Sequence, residues 1–331
     1  MVKEWSREEL LGLWVGCQRA CVVAAAAELD VFGALADGAA RAAEVAERLG
    51  TDPRATATLL NALAALGLVT KDEDAYAPAP GVVDLLTDEG AQSVAAMLRH
   101  HGNCLRRWVQ LPSVVRTGRP AEGEGLDRAH ESRAAFIGAM HNVSAPMADR
   151  LIADLGPPRF QHLLDVGGAS GTWTLAFLRA RPEATATLFD LPAVIPFAER
   201  RVAEAGMAGR VRLVAGDFYA DPLPAGADLA WVSAIIHQNS PEQNLALFGK
   251  LHAALEPGGR VLVRDVVLEP SRTEPAMGAL FAINMLVATQ GGGTYTFDEV
   301  AGWLQAAGFA EPTMARRGQA MDSVVAAVKP A

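Results

Sequence analysis

Cysteine is nearly missing. The chain holds three in 331 residues, Cys17, Cys21 and Cys104, with no CxxC pair. That set closes no even disulfide framework, and no Cys/His spacing resembles a structural zinc site, so a reduced, cytoplasmic protein with no metal is expected. Cys17 and Cys21 stand one helical turn apart and are expected in a core. Positive charge is scarce as well: 29 Lys and Arg face 38 Asp and Glu, a net charge of −9. This balance disfavours nucleic acid and acidic membranes as partners. The longest apolar run, Ala20 to Ala27, is far too short to span a bilayer. The opening, Met1 to Leu10, is too acidic for a signal peptide.

What is present is ample core material: 50% of residues are hydrophobic and 20% charged, and the length allows two domains. The most informative stretch runs from His162 to Trp173. An apolar run ends in Asp165, enters a small-residue turn with Gly167, Gly168 and Gly171, then feeds the segment Thr174 to Ala180. That pattern predicts a buried parallel strand, a tight loop and a helix N-terminus. Small residues let the backbone approach a ligand, and free amides at the helix start favour a polar group. The loop lacks the dinucleotide fingerprint G-x-G-x-x-G. Asp165, ahead of the loop, would repel a pyrophosphate but suits a cationic α-amino group. Asp190 ends the next strand-like run, Ala184 to Phe189, where a carboxylate can accept both hydroxyls of a ribose. Amino acid plus ribose describes S-adenosyl-L-methionine (SAM) better than a nicotinamide dinucleotide.

Beyond the loop, strands (Ala184 to Phe189, Val211 to Ala215, Asp228 to Ser233, Arg260 to Leu268) alternate with helices (Ala193 to Ala205, Pro241 to Leu255). Such alternation predicts a mainly parallel sheet with ligands at the carboxyl ends of its strands. Asp165, Asp190, Asp217 and Ser233 to His237 all fall at those ends. The run Trp231 to His237 is apolar and stops abruptly in an imidazole, a group whose titration near neutrality suits a general base. Asp265 interrupts another apolar run, Val261 to Leu268; a buried carboxylate there needs a partner, and Arg264 and His237 are the nearest choices.

The N-terminal part reads differently. A long Ala-rich helix, Leu10 to Leu29, has an apolar face wide enough to need cover nearly all round, which a second subunit can supply. Short helices follow at Arg41 to Leu49 and Pro53 to Leu66, the latter with Asp52 as N-cap. Leu68 to Thr70 and Ala75 to Ala77 flank the polar turn Lys71 to Asp74 and read as a wing. A winged helix raises DNA binding, but residues 1–100 hold 8 Lys or Arg against 15 Asp or Glu, and the wing tip carries three acids. A phosphate backbone would be repelled. Further helices are expected at Ala91 to Arg99, Leu105 to Val115 and Glu131 to about Leu155.

In order along the chain come Asp165-Val-Gly-Gly-Ala-Ser-Gly171, Phe189-Asp-Leu-Pro192, Gly216-Asp-Phe218, His237 after a strand, Glu256-Pro-Gly-Gly259 and Gly291-Gly-Gly293. The set resembles the small-molecule O-methyltransferases of the class I SAM-dependent superfamily, the branch of plant caffeate and bacterial polyketide enzymes, over nearly the whole chain. The resemblance implies an α/β fold with a Rossmann-like, mainly parallel sheet in a SAM-binding catalytic domain, 157–331. It also implies an N-terminal all-helical winged-helix dimerisation domain, 1–100, its small hairpin the wing, which makes a homodimer. Between them a helical bridge, 101–156, would wall the acceptor pocket. SAM would be held by Asp165, Gly167, Gly168, Gly171, Asp190, Leu191, Asp217, Phe218 and Ser233. Of these, Asp217 and Phe218 would hold adenine, and Ser233 stands where plant members carry a lysine near the cofactor. His237 aligns with the catalytic base and Asp265 with the acid that orients it.

Two departures matter: Gln238-Asn239 replaces the usual Asp-Trp after the histidine, and Thr294 replaces a second acid expected after Gly293. For the small-molecule acceptor, the family analogy offers Met140, His141 and Met147 on the bridge. A strongly apolar helix, Glu274 to Thr289, places Phe281, Asn284, Met285 and Ala288 on one face. That face either packs in the core or lines the pocket, with Asn284 reaching a substrate oxygen. The expected reaction is O-methylation of a small hydroxylated, aromatic metabolite. The alternatives are C-, N- or S-methylation, including metal-assisted transfer to an α-keto acid through His237 and His141, and SAM binding without transfer.

Overall fold

Ser6 starts the first helix with a reciprocal cap: its hydroxyl accepts from Glu9 N, and the Glu9 carboxylate accepts from Ser6 N. A computed structural model describes residues 3–90, 92–122, 129–156 and 159–331, with the backbone alone at 129–135. The helix, α1 (Arg7–Glu28), is followed by α2 (Val31–Ala34), β1 (Ala40–Arg41) and α3 (Ala42–Leu49). Asp52 caps α4 (Pro53–Ala65) as expected, accepting from Ala55 N at 2.7 Å; a cap of this kind contributes about 1 kcal/mol. Next come β2 (Val69–Asp72), β3 (Ala75–Pro78), α5 (Val82–Leu86), α6 (Ala95–Trp108), α7 (Leu111–Thr117) and α8 (Ala129–Asp154).

Three expectations for this region need correction. The hairpin gains a third strand, β1 on β3, so the N-terminal region is not all-helical. Helix α6 runs unbroken through His100-His101-Gly102, where two helices were expected. A Cβ built on Gly102 would meet Ala24 Cβ at 3.6 Å, and this close crossing on α1 offsets the roughly 1 kcal/mol cost of a helical glycine. Cys17 and Cys21 are exposed, not in a core. Only Ala24, Ala26 and Ala27 of α1 are buried, while Leu10, Leu11, Leu13 and Trp14 are each more than half exposed. Among the described residues nothing covers their apolar face. By length and composition α1 is apolar enough to cross a membrane.

The remaining elements are β4 (His162–Val166), α9 (Thr172–Ala180), β5 (Thr185–Asp190), α10 (Ile195–Glu204), β6 (Val211–Ala215), β7 (Ala227–Ser233), α11 (Pro241–Ala254) and β8 (Leu255–Asp265). They continue with β9 (Val267–Leu268), α12 (Ala276–Ala288), β10 (Tyr295–Thr296), α13 (Phe297–Ala306), β11 (Ala310–Arg316) and β12 (Ser323–Val328). The chain divides into two compact units, 1–106 with 124–142, and 107–123 with 143–331.

In the second unit a seven-stranded sheet has the order β11-β12-β8-β7-β4-β5-β6, parallel except for β11 and β12. The run expected as one strand from Arg260 to Leu268 is split: β8 ends at Asp265, and β9 leaves the sheet to pair with β10. Helices cover both faces. One core holds Leu164, Phe248 and Leu251, the other Leu163, Phe177 and Trp231. Strand order reverses at β4, with β5 on one side and β7 on the other, so a crevice opens where those strands end.

Candidate active site

The acids at the strand tips come together as the alternation predicted. Asp165 in β4 is 1% exposed and accepts from Thr174 Oγ1 at 2.5 Å. Burial raises its carboxyl from 3.8 to about 7; the Thr174 hydroxyl opposes the shift and the charge of Asp190 adds to it. Asp190, closing β5, accepts from Ala169 N at 2.8 Å and from Leu191 N at 2.7 Å, one bond to each oxygen. Burial raises this carboxyl too, against those two bonds. Each oxygen keeps a lone pair for a ligand hydroxyl. Leu191 is 45% exposed. Gly167 takes φ +70, and a Cβ on it would lie 2.5 Å from Ile235 Cδ1, so this turn needs glycine. Gly168 and Gly171 complete the loop, Gly171 capping α9. After β6, Asp217 accepts from Tyr219 N at 2.8 Å, and the rings of Phe218 and Tyr219 meet at 4.5 Å.

His237 lies in a short 3₁₀ turn just after β7. Its Nδ1 is 2.9 and 3.0 Å from the two oxygens of Asp265, and the two side chains are 12% and 1% exposed. Asp265 Oδ1 also accepts from Val266 N at 2.8 Å. The Asp265 carboxylate is thus an acceptor for Nδ1–H, which leaves Nε2 as the basic nitrogen. The Phe281 ring of α12 meets the imidazole edge-on at 4.9 Å. Gly293 N donates to the His237 carbonyl at 2.8 Å, and a Cβ on Gly292 would strike that carbonyl at 2.4 Å. The Gly291 to Gly293 loop therefore clamps the turn that carries the histidine. Of the two partners considered for Asp265, His237 is the one; Arg264 donates to Ser233 Oγ instead.

A family model for an O-methyltransferase domain matches residues 108–310, and one for an O-methyltransferase dimerisation domain matches 16–88. The tetracenomycin polyketide synthesis 8-O-methyl transferase of Streptomyces glaucescens is 35% identical over 293 residues, 86% of each chain. The 3-hydroxy-5-methyl-1-naphthoate 3-O-methyltransferase of Streptomyces sahachiroi is 33% identical over 96% of this chain and 93% of its own. Among solved structures, human N-acetylserotonin methyltransferase in complex with SAM superposes with a TM-score of 0.82 at 26% identity, covering 100% of both chains. The chain belongs to the O-methyltransferase family. It is a SAM-dependent enzyme.

The methyltransferase places its other expected site residues unevenly. Met147, Asn284 and Met285 fall in the unit that holds the dyad, whereas Met140 and His141 belong to the N-terminal unit. Met285 is buried. Asn284 Oδ1 accepts from Trp108 Nε1 at 3.0 Å, a pairing of residues 176 apart that sequence spacing does not reveal. Thr294, in place of an acid, is buried and donates to the Gly278 carbonyl at 3.2 Å. Asn239, the second substituted position after His237, is fully buried. It accepts from Tyr219 Oη at 2.5 Å and donates to Asn244 Oδ1 at 3.0 Å, a structural bridge beneath the turn. Among the described residues no group of three His, Cys, Asp or Glu side chains is placed to hold a metal ion.

Proposed function

We propose that the methyltransferase acts on a phenolic hydroxyl of a small aromatic metabolite, with His237 as general base oriented by Asp265. The observation that carries this reading is the His237–Asp265 pair, both nearly buried, one strand from the acid-lined loop. SAM supplies an electrophilic methyl on its sulfonium. Asp165 would receive the α-amino group, Asp190 the ribose hydroxyls, and Asp217 with Phe218 the adenine, Asp217 through the oxygen not bound to Tyr219 N. The glycines of the loop and Leu191 frame the nucleoside. His237 Nε2 would take the hydroxyl proton as the oxygen attacks, and Asp265 would stabilise the resulting imidazolium. Phe281 and Met285 offer apolar contact to a flat acceptor, whereas Met147, expected there, lies against Arg264 instead. The Asn284 side chain, whose oxygen is taken by Trp108, can turn its N–H donors to an acceptor oxygen.

Two polyketide- and naphthoate-directed relatives support the aromatic assignment. Incubation with methyl-labelled SAM and a panel of naphthols, hydroxyanthraquinones, aromatic amines and α-keto acids should give labelled O-methyl ethers. Label recovered only on nitrogen or carbon would overturn the oxygen assignment.

The enzyme works as a homodimer through its N-terminal domain, in the cytoplasm, and its partners include neither nucleic acid nor a membrane. The dimerisation-domain match overlaps α1, and the exposed apolar face of that helix is then covered by a second copy rather than by lipid. Sedimentation at micromolar concentration without detergent should give twice the chain mass. Replacing Leu11 and Trp14 with Glu should shift it to monomer or aggregate; an unchanged dimer would remove α1 from the interface.

A further inference from the structure

Among the described residues Arg264 is a buried cation with no counter-ion. It is 2% exposed, at the end of β8. Its guanidinium donates to Ser233 Oγ at 2.9 Å, contacts Met147 Sδ at 3.8 Å and lies 4.6 Å from the Trp173 ring centroid. Among the described residues no carboxylate comes within ion-pair distance. The two acids that act on it electrostatically are Asp265 and Asp322. Asp265 is engaged by His237 and Val266 N, and Asp322 by Arg316 and Ala320 N. Burial accordingly pushes the guanidinium down to about 10, with those acids opposing. Taking an unpaired cation out of water is costly, and a thioether is a weak acceptor for it. Among the described residues neither Arg264 Nε nor Trp231 Nε1 has a hydrogen-bond partner.

Position says what would complete the charge. Asp165 pairs with Trp231 across β4 and β7, and Ser233, two residues further along β7, pairs with Arg264 on β8. Alternation then puts Asp165, Trp231, Ser233 and Arg264 on one face at the strand tips. Trp173, in the first turn after the glycine loop, touches both Trp231, at 5.1 Å, and the guanidinium. An acid and an uncompensated cation thus flank one pair of indoles, an arrangement complementary to a zwitterion.

We propose that Arg264 binds the α-carboxylate of SAM, with Met147 giving up its place against the guanidinium when the carboxylate arrives. This deepens the SAM assignment: Asp165 takes the ammonium end, Arg264 the carboxylate end, and Ser233 holds the guanidinium in position. Arg264 is in this reading a binding residue, held in place by its bond to Ser233 Oγ.

Calorimetry with two ligands tests it. S-adenosylhomocysteine carries the carboxylate, and its decarboxylated analogue, the aminopropylthio adenosine, does not. The wild-type enzyme should prefer S-adenosylhomocysteine by roughly ten- to hundredfold, the range of a hydrogen bond to a charged group. Arg264→Met should bring the two affinities within about threefold of each other, and Arg264→Lys should recover part of the preference. Equal affinities in the wild type would overturn the proposal without any variant, and so would an undiminished preference in Arg264→Met. Failure of the wild type to bind either ligand would instead remove the SAM assignment.

Discussion

His237→Ala is expected to lower kcat about 10²–10⁴-fold, the usual contribution of a positioned general base, while SAM affinity stays within about twofold of wild type. The separation follows from geometry. His237 contacts Asp265 and Phe281, and no residue assigned to the nucleoside bonds to its ring. Removing the imidazole leaves the loop, Asp165 and Asp190 as they are. It also frees Asp265, a carboxylate 1% exposed, from its ring partner, so a second variant is needed to separate lost chemistry from lost packing. Asp265→Asn keeps the shape but no longer accepts from Nδ1–H with a charge, and should slow turnover in the same direction with SAM binding intact. Position 294 carries a threonine, whose hydroxyl donates to the Gly278 carbonyl, so no acid there can substitute for the missing base. Equal turnover in His237→Ala would end the base assignment; SAM affinity falling in step with kcat would make the histidine a binding group instead.

Which features could be read from sequence depends on whether they are local. Asp165, Asp190 and Asp217 each end an apolar run, and a strand tip in a parallel sheet is where ligands bind, so one pattern located three acids. The His237–Asp265 pair followed from a chemical need, a buried carboxylate requiring a partner, together with the family's order of motifs. Choosing between His237 and Arg264 needed only the alternation of a strand, since residues 264 and 265 face opposite sides of the sheet. Trp108 and Asn284 meet across 176 residues, and no periodicity encodes that. The opposite failure occurs at Cys17 and Cys21: their helix is apolar enough for a core, but among the described residues nothing buries it. Gly102 shows a third kind of limit, where local preference marks a break and the close approach of α1 overrides it.

Asp165→Asn is expected to weaken SAM binding at pH 8 by 30-fold or more, from the roughly 2–5 kcal/mol lost when one partner of a buried charge pair is removed. The same change should make the ligand-free protein more stable at that pH. The two effects have opposite signs because of where the carboxyl titrates. Burial holds its proton until about pH 7 in the fold, against an ordinary value of 3.8. A group raised in this way contributes stability that is complete below its unfolded value and is lost as pH climbs through its folded value. For a shift of this size the loss is on the order of 4 kcal/mol. Asparagine carries no such penalty and can still accept from Thr174, so its melting temperature should exceed the wild type's at pH 8 and match it near pH 4. Binding runs the other way. On the proposed assignment the α-ammonium of SAM selects the ionised carboxyl, so wild-type affinity should rise as pH climbs to about 7, with a proton released below that point. Calorimetry from pH 6 to 8 in two buffers of different ionisation enthalpy reads the proton directly. A flat wild-type profile, or a variant with the wild-type slope, would mean that the ammonium lies elsewhere and that the buried acid serves the loop alone.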